Sequence, residues 1–176
     1  MRIKKNILIT GPPGIGKTTI MKKIAQMLKD SGPAGFYTAE IREGGVRHGF
    51  ELVGLNGRKG ILSHIDIKSP HHVGRYGVDI KGFEIFLDAL MLTDPSVTLV
   101  MIDEIGKMEC LSQRFRTVVG TVLNSEKAVI ATIALKGSGF IAEVKERKDT
   151  MLFEMTLGNR DSLAEEILRY VKTSYD

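Results

Sequence analysis

Apolar and polar residues follow two rhythms along this chain. Short apolar runs bounded by Gly, Pro, Asp or Ser alternate with longer stretches whose apolar residues recur at helical spacing. Ile7-Leu8-Ile9-Thr10 reads as a short buried strand that stops at Gly11. Behind it, Lys17 to Lys29 carries a helical stripe of Ile20, Ile24 and Leu28, with Met21 and Ala25 beside them. Asp30-Ser31-Gly32-Pro33 ends that helix, since Gly suits a left-handed C-terminal position and Pro cannot continue. Phe36 to Ile41 predicts a second strand. Residues 42–66 are rich in Gly and alternate apolar with polar positions (Phe50, Leu52 and Ile61), which predicts antiparallel hairpins.

Further along, Phe83 to Leu92 predicts a short amphipathic helix closed by Asp94-Pro95. Val97-Thr98-Leu99-Val100-Met101-Ile102 is a near-continuous apolar run, as expected of a strand covered on both faces. Leu111, Phe115, Val118 and Val122 mark the next helix, and Ala128 to Ile133 another buried strand. Lys136 to Asp149 is a Gly-Ser-Gly segment followed by a charged stretch, in which Lys145 to Asp149 mixes signs as a solvated face does. Met151 to Met155 predicts a last strand, and Ser162 with Glu165 forms a capping-box signature before a helix along Leu163, Ile167 and Val171. Alternating strand and helix implies a mainly parallel sheet with right-handed crossovers. With no repeat, low-complexity segment or linker, residues 1–176 read as one α/β domain.

Composition narrows the partners. Hydrophobic residues make up 43% and charged residues 26%, as in ordinary soluble proteins. The formal net charge of +4 favours anionic ligands without by itself arguing for nucleic acid. Aromatics are scarce at 6%, with no Trp, so a base-stacking platform has little to be built from and nucleic acid is not an expected partner. One cysteine, Cys110, permits no intrachain disulfide and reads as a small helix-start residue, not a nucleophile. Met1 to Lys5 is basic, but the apolar run behind it is too short for a signal peptide. No stretch has the length needed to span a bilayer. A cytoplasmic protein that does not enter the membrane is the expectation, and no feature points to a particular protein partner.

Gly11-Pro12-Pro13-Gly14-Ile15-Gly16-Lys17-Thr18 matches G-x-x-x-x-G-K-[ST] at every fixed position, between a buried strand and a helix. Glycines let such a loop turn tightly, so that successive backbone N–H groups point at phosphate oxygens. The following helix adds its dipole and free N–H groups. Lys17 is expected between the β- and γ-phosphates, and Thr18 offers a hydroxyl to Mg²⁺.

A carboxylate is needed at the end of a neighbouring central strand, to hold Mg²⁺ through its water shell. Asp103 follows the apolar run directly, and Glu104 comes next, placed to orient or deprotonate a water. Asp103-Glu104-Ile105-Gly106 also fits D-x-x-G, a γ-phosphate sensor in switch GTPases. The guanine-reading N-K-x-D pattern is absent; Asn159-Arg160-Asp161 comes nearest and lacks the lysine. Guanine specificity is therefore not supported.

Taken with the loop, the run Ile102-Asp103-Glu104-Ile105-Gly106-Lys107-Met108-Glu109 and the late Thr156-Leu157-Gly158-Asn159-Arg160-Asp161 resemble the nucleoside-triphosphatase family of thermophilic bacteria and archaea, which has a human relative described as cancer-related. Ile41 to Gly45 and Gly74 to Asp79 are similar to its middle segments, so the resemblance covers nearly the whole chain. Cys110 departs from the aliphatic residue expected there. The resemblance implies a recombinase-type P-loop fold with added antiparallel strands. It also implies Mg²⁺-dependent hydrolysis of ATP, GTP and other NTPs to the diphosphate and phosphate, with loose base selectivity.

The expected nucleotide contacts are Gly11, Pro12, Pro13, Gly14, Ile15, Gly16, Lys17, Thr18, Asp103, Glu104, Ile105, Gly106, Lys107 and Arg160. Lys17, Glu104 and Lys107 are the expected catalytic groups, and Thr18 with Asp103 the metal-binding ones. Lys107 stands close enough in sequence to stabilise charge on the γ-phosphate, although a solvated Lys opening a helix is the plain alternative. Arg42, Arg75, Arg147 and Arg160 are candidates for an arginine finger, each with a surface charge as the alternative. His64, His71 and His72 read as loop histidines, since no Cys or carboxylate stands at ligand spacing. Two other functions fit the same motifs: a nucleoside or nucleotide kinase with the segment 136–149 as a lid, and an NTP-timed switch coupled to nucleic acid.

Overall fold

An apolar run is expected wherever a strand is covered on both faces, and β7 (Leu99–Ile105) meets that condition. Val100 and Ile102 join one buried cluster and Leu99 and Met101 the other. The same division splits β1 (Asn6–Thr10), with Leu8 on one side and Ile7 and Ile9 on the other. The computed structural model describes residues 5–175, with side chains placed for 5–172. The basic segment Met1 to Lys4 lies outside the described residues.

Between and after these strands run α1 (Lys17–Met27), β2 (Ala34–Glu43), β3 (Val46–Gly54), β4 (Lys59–His64), β5 (His72–Val73), β6 (Tyr76–Val78) and α2 (Ile80–Leu90). Beyond β7 follow α3 (Gln113–Asn124), β8 (Ala128–Ile133), α4 (Phe140–Lys145), β9 (Thr150–Glu154) and α5 (Leu163–Tyr175). Among the described residues all strands form one nine-stranded sheet in the order β5-β6-β4-β3-β2-β7-β8-β1-β9. β2, β7, β8, β1 and β9 run parallel. β3, β4, β6 and β5 extend the β2 edge as antiparallel additions, as the alternating segment 42–66 predicts. Helices α1 and α5 bury Ile20, Ile24, Leu163 and Ile167 on one face of the sheet. On the other face, α2 and α3 bring Phe83, Phe86 and Phe115 around Phe36 of β2, with ring centroids 5.8–6.5 Å from it.

Several boundaries differ from the sequence expectation, each for a local reason. The first helix stops at Met27 and a single 3₁₀ turn, Lys29–Ser31, carries the chain to the left-handed Gly32. The helix expected from Phe83 begins at Ile80, because the Asp79 carboxylate accepts the Gly82 N–H at 2.9 Å, and it ends at Leu90 before a left-handed Met91. The next helix starts after Leu111, where the Ser112 hydroxyl accepts the Phe115 N–H at 3.0 Å; Leu111 itself lies in a 3₁₀ turn. The strand expected to stop at Ile102 continues through Asp103 and Glu104 to Ile105, with a register shift against β8 between Ile102 and Ile105.

The stretch 136–149 carries α4, which seats Ile141 and Val144 in the core. Arg147 and Asp149 pair at 2.6 Å and reach Leu123 and Asn6, so this end of the stretch is tied down and not a free solvated face. The capping box at Ser162 gives way to other bonds. The Ser162 hydroxyl donates to the Asn159 carbonyl, while Glu165 pairs with Lys23 of α1 at 2.6 Å.

Candidate active site

Gly14 and Gly16 adopt φ of 77° and 112°, which turns the chain from β1 into α1. The Ile15 N–H bonds back to the Pro12 carbonyl at 3.2 Å, closing the loop on itself. Gly11 sits where a Cβ would come within 2.8 Å of the Met155 carbonyl, so the loop packs tightly against the end of β9. No side chain caps α1 at Gly16, and Lys17, Thr18 and Thr19 of its first turn line the cleft above the loop. Lys17 reaches back over this loop. Its Nζ donates to the Gly11 carbonyl at 3.0 Å and stands 3.7 Å from Glu104 Oε2.

Asp103 is buried to 1% exposure and projects from β7 toward the start of α1. The Thr18 hydroxyl donates to its Oδ2 at 2.6 Å, the Thr132 hydroxyl of β8 to its Oδ1 at 2.5 Å, and the Thr38 N–H of β2 adds a third bond. Burial nonetheless raises its pKa, with these donors opposing. Glu104, joined to Asp103 by a cis peptide bond, is likewise shifted upward, first by burial. Lys17 opposes that shift and Asp103 adds to it.

Glu109 also lines the cleft, though nothing in its sequence setting marks it as a site residue. It is 5% exposed, and burial followed by the charge of Glu104 pushes its pKa up to about 8. Gly106 makes this proximity possible: a Cβ there would meet Glu104 Oε1 and Glu109 Oε2, both at 2.8 Å. Burial also pushes the Cys110 thiol up to about 12, so it stays protonated and unreactive near neutral pH.

The glycine loop, Lys17, Thr18, Asp103, Glu104 and Glu109 line a cleft of about 990 Å³. The expected residues Gly11, Pro13, Gly14, Gly16, Lys17, Thr18, Asp103, Glu104 and Lys107 all line it. Others stand apart from the lining. Ile105 points into the core, Gly106 acts through the space it leaves, Ile15 packs against the apolar cluster under α1, and Pro12 takes part through its carbonyl. Arg160 lies outside the lining, near Asp161 at 3.8 Å.

The other arginine candidates also fall elsewhere. Arg42 pairs with Glu40, Arg75 donates to the Arg47 carbonyl, and Arg147 holds Asp149. Among the described residues Arg47 is the arginine that lines the cleft. Its Nε donates to the Tyr76 hydroxyl at 2.9 Å and its Nη1 to Glu40 at 3.0 Å, and the guanidinium lies over the Phe50 ring at 5.1 Å. Its place depends on a bulge in β3 that no local pattern announces.

A glycine loop between a central strand and a helix, with a buried carboxylate on a second strand aimed at that helix, defines a protein with the P-loop NTPase fold. A family model described as NTPase matches residues 6–168. The nucleoside-triphosphatase THEP1 of Thermotoga maritima is 47% identical over 167 residues, covering 94% of this chain and 95% of that protein. The human cancer-related nucleoside-triphosphatase is 38% identical over 186 residues, covering 97% and 98%. The crystal structure of THEP1 from Aquifex aeolicus superposes with a TM-score of 0.80 at 34% identity, over 93% of this chain and 97% of that one. The chain belongs to this NTPase family. No helix among its described residues is long and apolar enough to cross a membrane.

Proposed function

We propose that this protein hydrolyses nucleoside triphosphates to the diphosphate and phosphate with Mg²⁺, and that base selectivity is loose. The observation that carries this reading is Glu104, a carboxylate held 3.7 Å from Lys17 at the wall of the cleft beside the glycine loop. The donor set fits Mg²⁺, because Thr18 and Asp103 present hard oxygen atoms 2.6 Å apart and anchored from neighbouring strands. When bound there, the ion would neutralise charge on the β- and γ-phosphate oxygens.

The residues of this chain supply the rest. Loop N–H groups and Lys17 bind the β- and γ-phosphates. Glu104 orients a water in line with the γ-phosphorus and accepts its proton as the new P–O bond forms and the β–γ bridge breaks. Burial raises its pKa, which makes it a stronger base than an exposed carboxylate. Arg47 and Lys107 are among the cleft cations available to the departing phosphate, with Lys22 and Lys136 also on the wall. Loose base selectivity accords with the described lining, which offers no Asn or Gln amide to read a base edge. The same reading takes the chain as one domain built on one continuous sheet. A cytoplasmic location accords with the single free thiol of Cys110.

A steady-state phosphate-release assay with ATP, GTP, CTP and UTP, with and without Mg²⁺, tests the proposal. Mg²⁺-dependent release from all of them, within about tenfold of each other, is the expected result. A phosphorylated nucleoside or monophosphate forming faster than free phosphate would replace hydrolysis by phosphoryl transfer.

A further inference from the structure

The geometry points to a second metal site, away from the glycine loop, in which Glu43, His48 and His64 bind a zinc-class divalent ion. One ligand atom from each of the three lies within 4.8 Å of the others. The carboxylate that the sequence does not place at ligand spacing from His64 is thus supplied in space by the last residue of β2. Tetrahedral zinc with N and O ligands at about 2.0–2.2 Å places its ligand atoms roughly 3.4 Å apart. His48 Nδ1 and Glu43 Oε2 already stand at 3.3 Å, so closing His64 onto them completes three positions.

Two backbone features build this cluster. The register of β2 against β3 shifts between Ile41, which faces Gly49, and Arg42, which faces Arg47, leaving His48 as the extra residue of a bulge. Its side chain meets Glu43 at the end of β2. Gly49 pairs with His64 of β4, and a Cβ at 49 would come within 3.0 Å of the His64 ring. Glycine there leaves room for the ring to stand beside His48, with centroids 6.0 Å apart.

His64 Nδ1 accepts the Asp66 N–H at 3.2 Å; with Nε2 turned to the ion, Nδ1 would instead carry the proton and donate it to Asp66 Oδ2, 3.4 Å away, the outer contact that metal-bound imidazoles ordinarily have. Two imidazoles and a carboxylate select zinc and its first-row neighbours over Mg²⁺, which prefers oxygen ligands. The site therefore differs in chemistry from Thr18 and Asp103. Because His48 adjoins Arg47 on the same bulge, an ion here would fasten the hairpin that carries Arg47 to β4.

Zn²⁺ titration of the metal-stripped full chain against a chromogenic chelator, in millimolar Mg²⁺, tests the site. One equivalent is expected. His48→Gln, His64→Gln and the exposed Glu43→Gln should each weaken binding at least about tenfold, while His71→Gln with His72→Gln should not. Co²⁺ should give the visible bands of a tetrahedral N/O site in the parent and lose them in His48→Gln. Should a histidine variant fail to fold, as judged by circular dichroism, Glu43→Gln decides. No stoichiometric uptake, or uptake indifferent to the cluster substitutions, would overturn the inference.

Discussion

The Thr18 hydroxyl and Asp103 Oδ2 lie 2.6 Å apart, although 85 residues separate them in the chain. This contact joins the first turn of α1 to β7, and the Thr132 and Thr38 bonds hold the carboxylate from β8 and β2. Helix, loop and three adjacent strands thus converge on one pair of oxygen atoms. Such an arrangement is set by the sheet before any ligand arrives, which limits the reorganisation that binding requires.

Removing either oxygen should show first in the metal dependence. Asp103→Asn keeps the shape but loses the charge, and Thr18→Ala loses the hydroxyl. Each is expected to raise the Mg²⁺ concentration needed for half-maximal turnover by about 10–100-fold. Phosphate release measured across a Mg²⁺ series checks this, and an unchanged midpoint in both variants would remove the pair from metal binding.

Glu104→Gln should separate chemistry from binding. The amide cannot take the water's proton, so turnover is expected to drop by about 10²–10⁴-fold. Affinity should change only a few-fold, because the loop N–H groups and Lys17 remain. Single-turnover kinetics with a fluorescent triphosphate in a parallel binding assay would read both quantities.

Arg47 offers a different signature. Its guanidinium bridges Glu40 and Tyr76 at the cleft wall, and a planar fork in that pose is not replaced by an ammonium. Arg47→Ala and Arg47→Lys should both lower kcat by at least tenfold, up to about 10³-fold, with a smaller effect on KM. If kcat holds while only the melting temperature falls, Arg47 is a strut of the hairpin and not a participant in catalysis.

These residues were unequally legible in the sequence. Gly11 to Thr18 and the pair Asp103-Glu104 are contiguous runs in sequence that meet at one cleft, and the fold follows from strands and helices of clear period. Arg47 and Glu109 were hidden for physical reasons. Arg47 reaches the cleft through a bulge, and a one-residue change of register alters which side chains face the ligand. Glu109 is a polar residue in a short 3₁₀ turn, and only the packing around Gly106 reveals it as buried. α4 escaped because six residues are too few to display a helical period. Arg160, placed by topology near the ligand side, lies outside the cleft lining because proximity to a strand end does not settle where a side chain points.

Gly35 marks where the antiparallel addition meets the parallel sheet. Its φ is 151°, and a Cβ would come within 1.8 Å of the Met101 carbonyl on β7. No rotamer relieves a clash with backbone. Gly35→Ala is therefore expected to destabilise the fold by about 3 kcal/mol or more, whereas Gly57→Ala, in an open turn at φ 84°, should cost no more than about 1–2 kcal/mol of backbone strain. Urea unfolding of the two variants side by side would test the contrast, and equal losses would contradict it.

Glu109 predicts a pH dependence of stability with a definite sign. In the unfolded chain its carboxyl titrates near the ordinary 4.5, while in the fold burial and the charge of Glu104 move it to about 8. Below the first value both states hold the proton. Between the two values only the folded state does, so each added pH unit removes stability, at most about 1.4 kcal/mol per unit for one proton. Above pH 8 the loss is complete. Urea unfolding of the Mg²⁺-free protein from pH 5 to 9 should show this decline, and Glu109→Gln should flatten it. A residual slope of the same sign is expected from Asp103 and Glu104, both also shifted upward. If the parent and Glu109→Gln decline in parallel, the buried proton does not reside on Glu109.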